Sequence, residues 1–217
     1  MGFVVGDKGK GLWLDKKILC RIVRARRSFT RENEMSANTE SEDDIKLQYL
    51  CFCENPLRST DQILRDYEVL KAHPRVTGIA FHSPYVLMIG TDEIVVTENH
   101  KKRLIGEFII FLIRKKVESY WEIDFRFWNV TNTLTVSVEG NESVYVHPHI
   151  YVTDDDFIGC PSGQLCINHG QFDVYQYIRR GEMHYAAPRL IEILETYPTG
   201  TAFHGADNWP LWRKKDA

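Results

Sequence analysis

Residues 146–170 read VHPHIYVTDDDFIGCPSGQLCINHG. Two histidines bracket a proline, three aspartates follow, and Cys160, Cys166 and His169 close the stretch. Three readings compete for it. His147, His149, Cys160, Cys166 and His169 are all residues that zinc accepts as ligands. Against a metal, five residues separate the cysteines, more than in a zinc knuckle, and the Glu and Pro-Cys-x-x-Cys of zinc deaminases are missing. A nucleophile needs an accessible thiol that can become a thiolate, with a hydrogen-bond donor near the carbonyl oxygen it attacks. Cys166 in GQLCINHG is the candidate thiol, with Gly163 allowing a close turn before it. His149 is the candidate helper, as donor to an oxyanion or as proton acceptor. In the third reading Cys166 packs between Leu165 and Ile167 as a small hydrophobe, and His149 is a satisfied histidine of the interior.

Working outward, the runs VTGIAFH, YVLMI, EIVVTE, RLIGEFIIFLI, YWEIDFRFWNV, TLTVSVE and SVYVHPHI are rich in β-branched and aromatic residues. Consecutive short strands without helices between them predict an antiparallel meander. Ahead of it, Ser59 and Gln62 fit a capping box, and Ile63, Tyr67 and Leu70 share one face of a helix of about three turns. After a loop over 151–170, QFDVYQYIRR predicts a short helix and APRLIEILETY a longer one, with Pro188 in its first turn. Helix, meander and helices make an α+β domain over 59–217. The run LQYLCFC, with Cys51 and Cys53, reads as a strand with one buried thiol.

Before that domain the charge changes sign. Residues 1–27 hold eight Lys or Arg against two acids, whereas 31–44 hold six acids and one base. Residues 1–30 form a basic arm in which Leu14, Ile18 and Ile22 have helical spacing. Such a helix can dock on an acidic partner or a membrane surface, or pack on the main domain. Residues 31–58 read as an acidic linker and lead-in. With 43% hydrophobic and 26% charged residues, 217 residues suffice for one sizeable core. A formal net charge of −3 gives no global attraction to nucleic acid. Five cysteines, with charges where a secretory apolar stretch would stand, lead us to expect reduced thiols in the cytoplasm. The longest apolar run, LIGEFIIFLI, is interrupted by Glu107 and is shorter than the ~20 residues of a bilayer span.

HPHI…GQLCI resembles the ubiquitin-conjugating enzymes. Their motif is His-Pro-Asn and an apolar residue, a loop, then Gly-x-apolar-Cys-apolar with the cysteine that carries ubiquitin. His147, Pro148 and Ile150 match the first half, and Gly163, Leu165, Cys166 and Ile167 the second; His149 stands where Asn would be. The family's helix, meander, active-site loop and following helix correspond to 59–72, 76–150, 151–170 and about 185–196. The long loop, the absent Tyr-Pro-x-x-Pro-Pro and the His-Pro-His are similar to divergent bacterial members. Those have a C-terminal Tyr-x-Pro…Trp stretch, compared here with ETYPTGTAFHGADNW, and usually accompany an activating enzyme and a ubiquitin-like protein, often in antiphage systems.

The resemblance implies a UBC fold and a transferase. Cys166 takes a ubiquitin-like modifier from an activating enzyme as a thioester and passes it to an amine on a protein target, with no cofactor at this step. His149 is then the candidate donor to the oxyanion, a role worth roughly 3 kcal/mol at such sites. Cys160 is the rival nucleophile but lacks the Gly-x-apolar-Cys-apolar context; His169, His204 and Asp207 are further candidates to line the site. A modifier-binding module of the same fold without catalysis, a zinc-binding protein, and a cysteine peptidase using Cys166 and His149 are the alternatives.

Overall fold

The computed structural model describes residues 41–138, 141–157, 160–165, 171–196 and 205–212. For 136–138, 141–142, 154–157, 160–161 and 171–172 it describes the backbone only. The basic arm, the acidic residues before Ser41, and Cys166, His169 and His204 lie outside the described residues.

Helix α1 (Glu42–Phe52) opens with a capping box in which Ser41 Oγ accepts from the Asp44 N–H at 3.2 Å and the Asp44 carboxylate accepts from the Ser41 N–H at 3.1 Å. Glu42, Asp43 and Asp44 fill the first turn, where negative charge offsets the helix dipole. This corrects the strand expected at LQYLCFC. The cap and first-turn acids commit the chain to a helix before the apolar run begins, and Tyr49 and Phe52 then fall on its buried face. Cys51 is exposed, while Cys53 is buried and burial pushes its thiol up to about 12. The segment read as a lead-in therefore contributes to the same core as the elements after it. Helix α2 (Thr60–Lys71) follows the sequence expectation, with the Ser59–Gln62 capping box formed and Ile63, Tyr67 and Leu70 buried.

Ten strands follow: β1 (Val76–Ser83), β2 (Val86–Thr91), β3 (Ile94–Glu98), β4 (Lys101–Gly106), β5 (Phe108–Val117), β6 (Tyr120–Asn129), β7 (Leu134–Val138), β8 (Asn141–His147), β9 (Ile150–Phe157) and β10 (Cys160–Leu165). Every strand pairing among the described residues is antiparallel. Eight strands form one sheet in the order β1-β2-β5-β6-β10-β9-β8-β7, and β3 and β4 form a separate hairpin. The architecture is thus α+β and antiparallel, but it departs from a simple meander in two places. The run 103–113 is two strands, because the chain leaves the β3–β4 hairpin at Gly106 and rejoins the main sheet at Phe108. The loop expected over 151–170 begins as the β9–β10 hairpin, which inserts β10 between β6 and β9.

Helices α3 (Gln171–Arg180) and α4 (Met183–Glu195) complete the helical layer. The longer helix starts earlier than expected, so Pro188 lies inside it; the carbonyl its missing N–H leaves free belongs to His184, only one residue into the first turn. Tyr49, Leu70, Val174, Leu190 and Leu194 meet Leu87, Ile89, Phe108, Ile110, Leu112 and Phe127 in one core. Arg114 ties the layers together although 98% of its surface is buried (2% exposed). Its guanidinium donates to the carbonyls of Phe52, of Glu54 at 2.8 Å and of Arg179 at 3.4 Å, and lies 3.6 Å over the Trp121 ring. One cation thus serves the C-terminal ends of α1 and α3, and α1 has no basic residue of its own in its last turn. No helix among the described residues is long and apolar enough to cross a membrane.

Candidate functional site

The two-residue turn Pro148-His149 joins β8 to β9, with His147 paired to Ile150 across it. His147, Pro148, His149 and Ile150 are all buried. His147 sits at the centre of this corner. Its Nε2 lies 2.9 Å from the Leu194 carbonyl in the last turn of α4, and its Nδ1 accepts from the His149 backbone N–H at 3.2 Å. The two bonds fix the tautomer, since a nitrogen that accepts from N–H carries no proton and Nε2 must be the one that donates. One imidazole thereby satisfies an orphan carbonyl of α4 and sets the direction of the backbone at His149.

Burial is the main reason that the His147 pKa falls to about 3; the Leu194 hydrogen bond opposes the shift and His149 adds to it. The ring is neutral at physiological pH. It meets Phe108 edge-on at 6.2 Å and stacks against His149 at 5.9 Å with 27° between planes. His149 is only 4% exposed.

Asn129, at the end of β6, supports the corner from the other side and is absent from the residues singled out by sequence. Its amide donates to the Ile105 and Val146 carbonyls, each at 2.9 Å, and its Oδ1 accepts from the N–H of Thr131 at 3.1 Å and of Asn132 at 2.8 Å. It joins β4, β6 and β8 immediately before His147. The signal was present in Asn129-Val-Thr131 at the end of an apolar run, an Asn placed to turn the chain through its own side chain.

The second half of the motif arrives on β10. Leu165, the last residue described there, pairs with Ile150, the residue after His149. Gly163 pairs with Val152 on one side and Phe127 on the other. It does not make the turn expected of it; it stands within the strand where a Cβ would come 2.4 Å from Ile150 Cγ2 and 2.4 Å from the Tyr151 carbonyl oxygen. Glycine is required by that close approach. The side chain of Cys160, and Cys166, His169 and His204 entirely, lie outside what the structure describes; Asp207 is exposed. Among the described residues no group of three or more His, Cys, Asp or Glu is placed to hold a metal ion.

A separate cleft of about 460 Å³ is lined by Arg58, Asp66, Arg180, His184 and Tyr185 among others, and none of the motif residues contributes to it. Arg58 pairs with Asp66, whose Oδ2 also lies 3.2 Å from His184 Nδ1. Burial, then the Arg58 charge, lower His184 to about 4, so it is neutral at physiological pH.

No protein-family profile, no curated protein and no solved structure matches this chain.

Proposed function

We propose that this chain is a ubiquitin-conjugating-enzyme-like transferase of UBC fold, working in the cytoplasm. It takes a ubiquitin-like protein from an activating enzyme as a thioester on Cys166 and passes it to an amine of a protein target. The observation that supports the reading is the Leu165–Ile150 pairing, which sets the residue before Cys166 opposite the residue after His149. Successive Cα atoms are about 3.8 Å apart and facing Cα atoms about 5 Å, so connectivity alone keeps residues 149 and 166 within ~13 Å of each other.

In loading, the Cys166 thiolate attacks the carbonyl of the activating enzyme's thioester, and the other sulfur leaves as a thiolate; one C–S bond replaces another. In discharge, a target amine attacks the Cys166 thioester and its nitrogen gives up one proton to solvent water; the oxyanion then collapses to an amide, the C–S bond breaks and the cysteine thiolate departs. Burial of His149 supports a fixed donor for that oxyanion, because a donor held in place costs no reorganisation when charge develops. His147 and Asn129 are positioning residues that hold the turn. Incubating Cys166→Ser with a cognate activating enzyme, ATP and modifier tests the assignment. An oxyester that survives reductant but not alkali is expected; failure to trap any adduct, while Cys160→Ser traps one, would move the nucleophile to Cys160.

A further inference from the structure

Where the chain ahead of α2 meets the turn between α3 and α4, three contacts lock the two segments together. Asn55 Nδ2 donates to the Arg180 carbonyl at 3.0 Å, and the Arg58 guanidinium donates to the Gly181 carbonyl at 2.7 Å. Gly181 has a φ of +74°, and a Cβ there would stand 2.4 Å from the Cys53 carbonyl oxygen, an approach that glycine alone allows. The cleft of about 460 Å³ lies at this junction, so its walls are fixed before any ligand arrives. Its size falls within the roughly 300–1,000 Å³ of small-molecule sites.

The charged groups lining it divide in two. The inner group is self-contained. Arg58 and Asp66 pair, with side chains 13% and 17% exposed, and His184, with a side chain 10% exposed, lies 3.2 Å from the same carboxylate. Because His184 is neutral, the Nδ1 that faces Asp66 carries its proton and Nε2 is left as a hydrogen-bond acceptor. The outer group is unanswered. Arg65, Arg180 and Glu182 line the same cleft, and among the described residues none of these three side chains has an ion-pair or hydrogen-bond partner. Both arginines are exposed, and Glu182 stands at the N-cap of α4 without making a capping bond.

With Arg58 and Asp66 cancelling each other, the cleft offers two guanidiniums, one carboxylate and one neutral imidazole acceptor. A guanidinium fork matches a ligand carboxylate, and an ammonium, which only donates, matches Glu182 and His184 Nε2. A phosphate group would satisfy the arginines but brings no cation for Glu182. Leu57 and Tyr185, both exposed on the cleft, add apolar surface for a short carbon chain. We propose that this cleft is a binding site for an acidic amino acid, whose two carboxylates are held by Arg65 and Arg180 and whose ammonium is held by Glu182 and His184 Nε2. The site is independent of the thioester reading, because it involves neither Cys166 nor the histidine corner.

Titration of the full chain with L-glutamate at constant ionic strength, followed through the backbone amide resonances, tests it. Saturable shifts centred on 55–66 and 180–185 are expected, with a Kd on the order of 1 mM. Glutarate, which lacks the ammonium, and L-glutamine, which lacks the second carboxylate, should each bind about tenfold or more weaker, the effect of losing a hydrogen bond to a charged group. Arg65→Gln, Arg180→Gln and Glu182→Gln should each weaken glutamate by a similar factor, whereas Lys101→Gln on β4 should leave it unchanged. No saturable shift up to roughly 30 mM glutamate would overturn the proposal. Glutarate binding as tightly as glutamate would also overturn it, by leaving the cleft an anion site with no ammonium contact. Unchanged affinity in the three cleft variants would place glutamate elsewhere on the protein and refute the assignment.

Discussion

Acidification should destabilise the fold through His147, by an amount that follows from its surroundings. An unperturbed histidine titrates near 6.5, and burial lowers this one to about 3. Between those values the unfolded chain binds a proton at His147 and the native one does not, so stability falls as pH falls. At roughly 1.4 kcal/mol per pH unit, the loss from this residue is about 2 kcal/mol at pH 5 and about 4 kcal/mol at pH 3. His147→Gln keeps an amide donor for the Leu194 carbonyl but cannot be protonated, so it should lose this slope. The assay is urea unfolding of both proteins at several pH values from 7.5 to 4.5. His184, also lowered by burial, contributes the same acid sensitivity to both curves and cancels in the difference. The variant is expected to gain about 2 kcal/mol on the unaltered protein between pH 7.5 and pH 5. A difference that stays constant with pH to within ~0.5 kcal/mol would show that His147 is not held neutral by the corner, and the positioning role built on it would fall.

Arg114→Met leaves the carbonyls of Phe52, Glu54 and Arg179 without their donor and should cost about 3 kcal/mol, or roughly 6–12 °C in Tm for a domain of this size; Arg114→Lys should recover part of it, and a melting scan of the three proteins decides. Gly163→Ala drives a Cβ against Ile150 and the Tyr151 carbonyl, so unfolding should show a loss of about 1–3 kcal/mol, with slower loading at Cys166. His149→Ala should slow single-turnover discharge to an amine more than loading, by about 10²-fold or more, if His149 donates to the oxyanion; equal slowing of both steps would leave it only a structural role.

The elements that were legible in the sequence are those whose signal is local. Ser59 and Gln62 announce α2 because a capping box lies within four residues, and Ile63, Tyr67 and Leu70 carry the helical period beside it. The Ser41–Asp44 box is equally local, but it sits in an acidic run whose composition argues for a linker. The β9–β10 hairpin was hidden for a different reason. Asp154 to Asp156 and Pro161 to Gly163 have poor strand propensity, and β10 is placed by its partners, with Gly163 fitting between Val152 and Phe127. His147 and His149 were found by type and spacing. Which of them organises the corner depends on Leu194, 47 residues away from His147. Arg114 acts through contacts of still greater sequence separation, 60 to 65 residues, and Asn129 through contacts 17 and 24 residues away, which a single chain of letters does not display.

The most direct test of the thioester assignment is the intact mass of the protein after incubation with a cognate activating enzyme, ATP and modifier. The account predicts a gain of one modifier less one water, reversed by a thiol reductant, retained in Cys160→Ala and abolished in Cys166→Ala. An adduct that persists in Cys166→Ala, or a gain that withstands the reductant in the unaltered protein, would contradict it.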